Sequence, residues 1–567
     1  MSTLDQAKPR TAPRFLSDWL TRLAERLADL PNPIVVKELR QAVRGWTALA
    51  MLLFYLIVQL LVVGLMLMDT PKNLLDESAL GNQVFLAIQI LLIVTTVGLL
   101  PLYAGTRLFL ERTDVNLDLM FATPLRPVWL VLGKLLAALV LGLLFFSASA
   151  PVMTMAYFLR GLDLVKSTAL LGLDILMMLT AVQVALLVAA MPVPRPVAAV
   201  LGLGLIFGLF GTVVYLISLS EEVMVMSFFH RPDDYFLLVV LALSAFFVTL
   251  FAFTATHALL SPPPSNRLFS FKLMLALTPP AFWILLGLLS WKLTDLWNRH
   301  NWHEVVHFWL IGLTKFQLVA GWLAWMIAIS ERLEWGPRLL AQVPRSRWLR
   351  VIVFPFYSGA ANGLVFALLL TVIRWLTIVV GLLMESWIYR PTSYPSFLQN
   401  YFAHNVETAW VGDGYVLVYA LTAFNLRRYW ETRRGKLFPG WVVLLVLSTV
   451  TSFVGVLLAI IGSLLDFPDR LVSHAFVLVP LPLVDSLIGE HLEEELLRAW
   501  PYPLAKWLVI LCSLLMIIPT LVWWLGQVRY FRPLPRQGAE HREKTPVPQV
   551  TENPGPETTW QLTAGAG

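Results

Sequence analysis

The sequence predicts an all-α polytopic membrane protein: about twelve transmembrane helices in two pseudo-repeated six-helix halves, with both termini cytoplasmic. Three observations predict it. The 567 residues are 58% apolar and only 14% charged, whereas a soluble domain carries about 25% charged residues. So few charges cannot cover the surfaces of the several soluble domains this length would otherwise make. Twelve apolar runs, each bounded by charge or proline, are long enough to cross a hydrocarbon core of about 30 Å. With the N-terminus inside, the inner segments hold 30 Lys and Arg and the outer loops 10, the bias that orients membrane helices.

Taken in order, the expected spans are 46–68, 83–105, 135–158, 168–190, 197–219, 235–260, 273–291, 308–330, 360–384, 408–426, 438–462 and 507–527. They divide the chain into a cytoplasmic amphipathic lead-in and connecting helix (1–45), a first transmembrane half (46–260), a cytoplasmic linker (261–272), a second transmembrane half (273–527) and a disordered cytoplasmic tail (528–567). In the lead-in, leucines at 16, 20, 23, 27 and 30 form one apolar helical stripe, with Pro31 and Pro33 as its stop. It suits an interfacial helix under the bilayer or a docking face for a partner. The tail beyond Phe531 is rich in Pro, Gly, Thr and charge and has too little apolar surface to fold. No cleavable signal peptide is expected, because the first long apolar run begins only near residue 46. The single cysteine, Cys512, excludes an intrachain disulfide or a thiolate metal cluster.

The repeat is read from two elbows. RLFLERTDVNLDLMFATPLRPVWLVLGK follows the second span and IAISERLEWGPRLLAQVPRSRWLRVIVF follows the eighth. Aligned on Glu111 and Glu331, they match Asp114 with Glu334, Leu119 with Leu339, Met120 with Leu340 and Pro124 with Pro344, as in a parallel internal repeat. Glu111, Arg112, Asp114 and Asp118 in one, and Glu331, Arg332, Glu334, Arg338, Arg345 and Arg347 in the other, either offer a charged helical surface to a soluble partner or are solvated loops whose basic residues only set topology.

These elbows, together with NPIVVKELRQAVRG before the first span and SPPPSNRLFSFK after the sixth, resemble the membrane subunits (permeases) of bacterial ABC transporters of the type-2 exporter class. The resemblance implies an inner-membrane protein in which Glu111 to Pro124 meet a nucleotide-binding subunit, and the repeat extends that role to Glu331 through Pro344. Lys37, Glu38 and Arg40 would belong to the connecting helix. It implies an ATP-binding-cassette ATPase partner in two copies, with ATP and magnesium held there, and no cofactor or nucleic acid on this chain. Twelve spans in one chain would do the work of a dimer of six-span permeases.

No phosphate-cradling loop is present: Gly133-Lys134-Leu135 and Gly435-Lys436-Leu437 lack its spacing and hydroxyl. The chain is therefore not expected to be an enzyme. One rival pattern is a complete H-E-x-x-H, His303, Glu304 and His307, which on a helix sets two imidazoles on one face and a carboxylate beside them, as in zinc metalloproteases. It falls in a short outer loop with no patterned third ligand. A second rival, ion- or proton-coupled transport, rests on charges inside spans, which are functional candidates because of their burial cost. Asp174 and Arg374 lie deep in theirs; Asp413 and Lys315 are expected near outer ends, where they can snorkel. Substrate is expected to move between the two halves, and the apolar stretch 463–506 to form re-entrant or lid helices at the outer mouth or a plain surface helix.

Overall fold

A computed structural model describes residues 33–68, 77–113, 127–158, 163–193, 195–225, 232–262, 265–293, 302–388, 396–434, 440–465, 474, 476–478 and 502–533. The leucine stripe of the lead-in, Asp114, Asp118, Pro124, most of 463–506 and the tail beyond 533 lie outside them. Among the described residues every regular element is helical.

A short amphipathic helix, α1 (Pro33–Arg44), leads into α2 (Trp46–Met68). Then come α3 (Glu77–Ile93), a π-helical turn (Val94–Leu99) and α4 (Leu100–Thr113), followed by α5 (Pro127–Phe158), α6 (Leu164–Ala190), α7 (Arg195–Val225) and α8 (Pro232–Leu260). The second series is α9 (Phe269–Leu293), α10 (Trp302–Ser330), two short elbow helices α11 (Pro337–Leu340) and α12 (Arg347–Val353), a 3-10 turn (Phe354–Phe356), α13 (Ala360–Ile388), α14 (Ser396–Arg434), α15 (Gly440–Leu464), a 3-10 turn (Phe476–Leu478) and α16 (Tyr502–Val528).

Among the described residues ten helices are long and apolar enough to cross a membrane, and the chain has the architecture of a multi-pass, all-α membrane protein. The other two expected spans, 408–426 and 438–462, coincide with α14 and α15. The first is interrupted by charge, and the second has a continuous apolar stretch of only Val442–Leu458. Long rows of exposed Leu, Val and Phe, such as Leu60, Phe207, Val372 and Leu515, suit helices whose outer faces meet hydrocarbon rather than water.

Two large apolar cores form. One draws only on residues 34–260, around Phe85, Leu92, Leu186 and Val223; the other centres on residues 275–443, around Trp325, Phe366 and Phe424. They meet where α8 packs on α9, with Phe247 edge-on to Phe282 at 5.7 Å. A small shared core of Ala255, Ala258 and Phe271, with Leu187 and Ile327 against it, joins the ends of α6, α8 and α10 to the start of α9. Both elbows therefore leave on one side of the molecule, called here the elbow face. Close helix crossings use small residues: Gly105 abuts Ala185, and a Cβ on Gly363 would lie 2.8 Å from Ala328 Cα.

Candidate functional site

The charges of the elbow face fall into two joints, each built around a glutamate at the end of a span. In the first, Glu111 on the last turns of α4 meets Lys134 of α5 at 2.6 Å and Lys37 of α1 at 3.6 Å. Glu38 of α1 binds the same Lys134 at 2.5 Å. Lys134 and Glu38 are buried, whereas Glu111 keeps a third of its side chain exposed. The amphipathic pattern of α1 explains the arrangement: Ile34, Glu38 and Ala42 are its buried face and Lys37 and Arg40 its exposed one. Arg112, half-buried, points its guanidinium at the carbonyl of Ala189 on α6, 3.5 Å away.

In the second joint the glutamate is sealed. Glu331 is 3% exposed and pairs at 2.5 Å with Lys272, fully buried on the first turn of α9. The Gly359 N–H donates to its other oxygen. Burial raises the Glu331 carboxyl above its ordinary range, against the pull of Lys272, the Gly359 N–H and Arg267. Lys272 Nζ also donates to Tyr357 O at 2.8 Å. Gly359 has φ +142°, a conformation open to glycine, and Trp335 leaves no room for a Cβ there. The Trp335 indole donates to Asn362 (2.7 Å), whose amide donates to Phe354 O (2.7 Å), and the Tyr357 hydroxyl donates to Gln342 O (2.8 Å). Leu339, Val343 and Tyr357 close around Phe531 from the end of α16. Arg427 of α14 donates to the carbonyls of Ile329 and Glu331 and holds Glu431 through two bonds of 2.9 and 2.8 Å.

Glu331 thus differs from the expectation that it presents charge to a partner: its carboxylate is an internal strut. What the second elbow does present is Arg332, Glu334, Arg338, Arg345 and Arg347, all exposed. Pro344 is half-buried, its carbonyl accepting from Arg350. Sequence reasoning missed Lys134, Lys272, Gly359 and Arg427 as members of the joints. The available signal was a lysine in the first turns of an otherwise apolar helix, at 134 and again at 272, a costly placement unless paired.

Within the spans, Asp413 has its partners inside the protein. It is half-buried and ion-paired with Arg374 of α13, and the Trp375 indole donates to it at 2.9 Å. Arg374 Nε donates to Thr314 O at 3.2 Å. Asp174, 1% exposed, accepts from the amide of Gln89 on α3 and meets no cation among the described residues. Asp174 lies fifteen residues before Ala189 and Asp413 fourteen before Arg427, so both carboxylates lie about 20 Å from the elbow face along their helices. Lys315 is half-buried on α10. His303, Glu304 and His307 fall on the first turns of α10; their side chains are outside the described set. The 3-10 turn Phe476–Leu478, within the apolar outer segment, is tied to α14 by the Tyr415 hydroxyl on Val477 O and the Tyr419 hydroxyl on Leu478 O (3.3 Å).

Comparison with protein-family models, curated proteins and solved structures finds no match to this chain.

Proposed function

We propose that this chain is the membrane permease of an ATP-binding-cassette exporter, with ATP hydrolysed on separate subunits that dock on the elbow face. One observation carries the reading. The second elbow is a folded lever: its charged outer surface, Arg332 to Arg347, is fixed to α9, α10, α13 and α16 through Lys272, Glu331, Gly359 and Phe531. A push on such an element reaches four helices without being lost in loop motion, as coupling to a motor subunit requires. On this reading the chain has two six-helix halves, 46–260 and 273–527, in the inner membrane with both termini cytoplasmic. Two ATPase copies would bear on the two elbows.

The test is crosslinking from Asp114→Cys and from Glu334→Cys, in a Cys512→Ser background, to an ATPase subunit purified with the chain. Crosslinks from both positions are expected, with no ATP hydrolysis by the chain alone. Hydrolysis by a partner-free preparation, or no crosslink from either position, overturns the reading. Crosslinks from 114 and never from 334 would leave the second half an accessory domain. Ion- or proton-coupled transport is a second reading, favoured by Asp174, which lacks a cation among the described residues. It requires Asp174→Asn to abolish transport driven by an ion gradient.

A further inference from the structure

The second elbow carries a helix that faces the wrong way for a surface in water. In α12 (Arg347–Val353) no residue is buried. Trp348, Val351 and Ile352, at the i, i+3 and i+4 positions of one face, are 82%, 70% and 65% exposed. Arg347 and Arg350 share the neighbouring side of the helix, and Arg345 stands just before it. The helix is amphipathic, but its apolar face points away from the protein.

Its placement is held firmly. Arg350 donates to Pro344 O at 3.3 Å and to Arg345 O at 3.1 Å. Phe354, next after the helix, meets Phe531 at 4.9 Å and Trp524 at 6.5 Å between ring centroids. An apolar face fixed outward in this way marks a surface that something else covers.

Two observations say what covers it. The first is level. Trp524 and Phe531 bracket Val528, where the apolar span of α16 ends, and Ala360, soon after α12, opens the span of α13. α12 therefore lies where hydrocarbon gives way to headgroups, beside the exposed Tyr530, and Trp and Tyr are the residues that favour that layer. The exposed Val522 and Leu525 of α16 continue the apolar surface along the span. The second is charge. Arg345, Arg347 and Arg350 in the elbow, and Arg529 and Arg532 after α16, make no ion pair among the described residues. No acidic residue occurs from 335 to 384 or from 503 to 533. A partner that is anionic on one side and hydrocarbon on the other matches such a surface, and a phospholipid leaflet is both.

We propose that α12 is an interfacial anchor for anionic phospholipid, with Trp348, Val351 and Ile352 among the acyl chains and Arg345 and Arg347 on headgroup phosphates. This goes beyond the exporter reading and does not depend on it. It leaves Arg332, Glu334 and Arg338 as the part of the elbow open to a soluble partner.

The test uses the full chain alone in lipid nanodiscs, carrying Cys512→Ser and a fluorophore on Ile352→Cys or, as a second site, on Trp348→Cys. Glu334→Cys is the water-facing control. Lipid with a nitroxide high on its acyl chain is expected to quench the label at 352 and not at 334, while acrylamide in the water should quench 334 and lose its effect at 352. Nitroxide-bearing phosphatidylglycerol should outdo the phosphatidylcholine at 352 by about tenfold or more, since each arginine at an anionic surface is worth about fivefold. Arg345→Gln with Arg347→Gln should bring the two lipids level, and high salt should erode the preference without any substitution. Each variant is first checked to unfold at the wild-type temperature, and if one label site fails that check the other decides. Acrylamide quenching at 352 equal to that at 334 would mean a helix standing in water. Protection from both quenchers would mean cover by protein, and equal quenching by the two lipids an anchor blind to charge. Lipid quenching lost on addition of a copurified ATPase would give the face to that subunit. Each of these overturns the proposal; the first three leave the exporter reading untouched, and the last supports it.

Discussion

The two joints of the elbow face do the same task with their parts exchanged. Glu111 and Glu331 both stand at the end of a helix, α4 packing chiefly on the fourth span of its series, α6, and α10 chiefly on the third, α13. The lysine that neutralises the first comes from α5, after the elbow; the lysine that neutralises the second comes from α9, before it. The capping arginine is exchanged as well: Arg112 reaches from α4 to α6, while Arg427 reaches from α14 to α10. The difference is one of sealing. The first joint is an open triad, with Glu111 partly in water and Lys134 shared by two carboxylates; the second is closed on every side. Charge neutrality at a helix crossing is therefore the common requirement, and the chain position that supplies it is free to vary.

This contrast predicts a graded set of mutational costs. Glu331→Ala strands a fully buried ammonium and should destabilise by about 3–5 kcal/mol, whereas Glu331→Met with Lys272→Met should recover most of that loss. Thermal unfolding of detergent-solubilised protein, followed by tryptophan fluorescence, reads both. A double variant no better than the single would mean that the pair is needed for more than charge balance. Gly359→Ala comes next, at about 1–3 kcal/mol, because the residue sits at φ +142°. Its loss should also loosen the second elbow, visible as faster proteolysis at Arg338 and Arg345. Glu111→Gln should cost only about 0–1 kcal/mol, since a partly exposed ion pair is screened, and its effect should shrink further in high salt. A cost as large as that of Glu331→Ala would end the distinction between an open and a sealed joint. Charge reversal at Glu331 would report on folding first, so partner docking is better probed at Glu334 and Arg338.

Much of the helical layout was legible because apolar length is a strong signal: each of the twelve expected spans falls on a helix, and Glu111 and Glu331 do end theirs. What stayed hidden was pairing between distant positions. Lys272 could be read only as a charge near the start of a span, since its partner is 59 residues away and nothing in local spacing joins them. Asp413 likewise reads in the sequence only as a charge near the end of a span, since its partner Arg374 is 39 residues away. Gln89 and Gln317 carry no charge and give no such signal in the sequence, although a buried amide is also costly without partners.

The π turn at Val94–Leu99, where the hydroxyls of Thr95 and Thr96 bond back to Leu91 O and Leu92 O, bears on that hidden pairing. A π turn takes in one residue more than an α turn, so every side chain beyond it is swung round by about 100° relative to an unbroken helix. Gln89 lies beyond it as seen from Glu111, and reaches Asp174 from that swung position. Shortening the turn by one residue would restore regular winding and carry Gln89 away from Asp174, leaving a carboxyl in the middle of the bundle with no donor. The irregularity thus sets the side of the bundle that Gln89 faces, and it offsets by one any alignment of α3 with α10 that is anchored at the two glutamates.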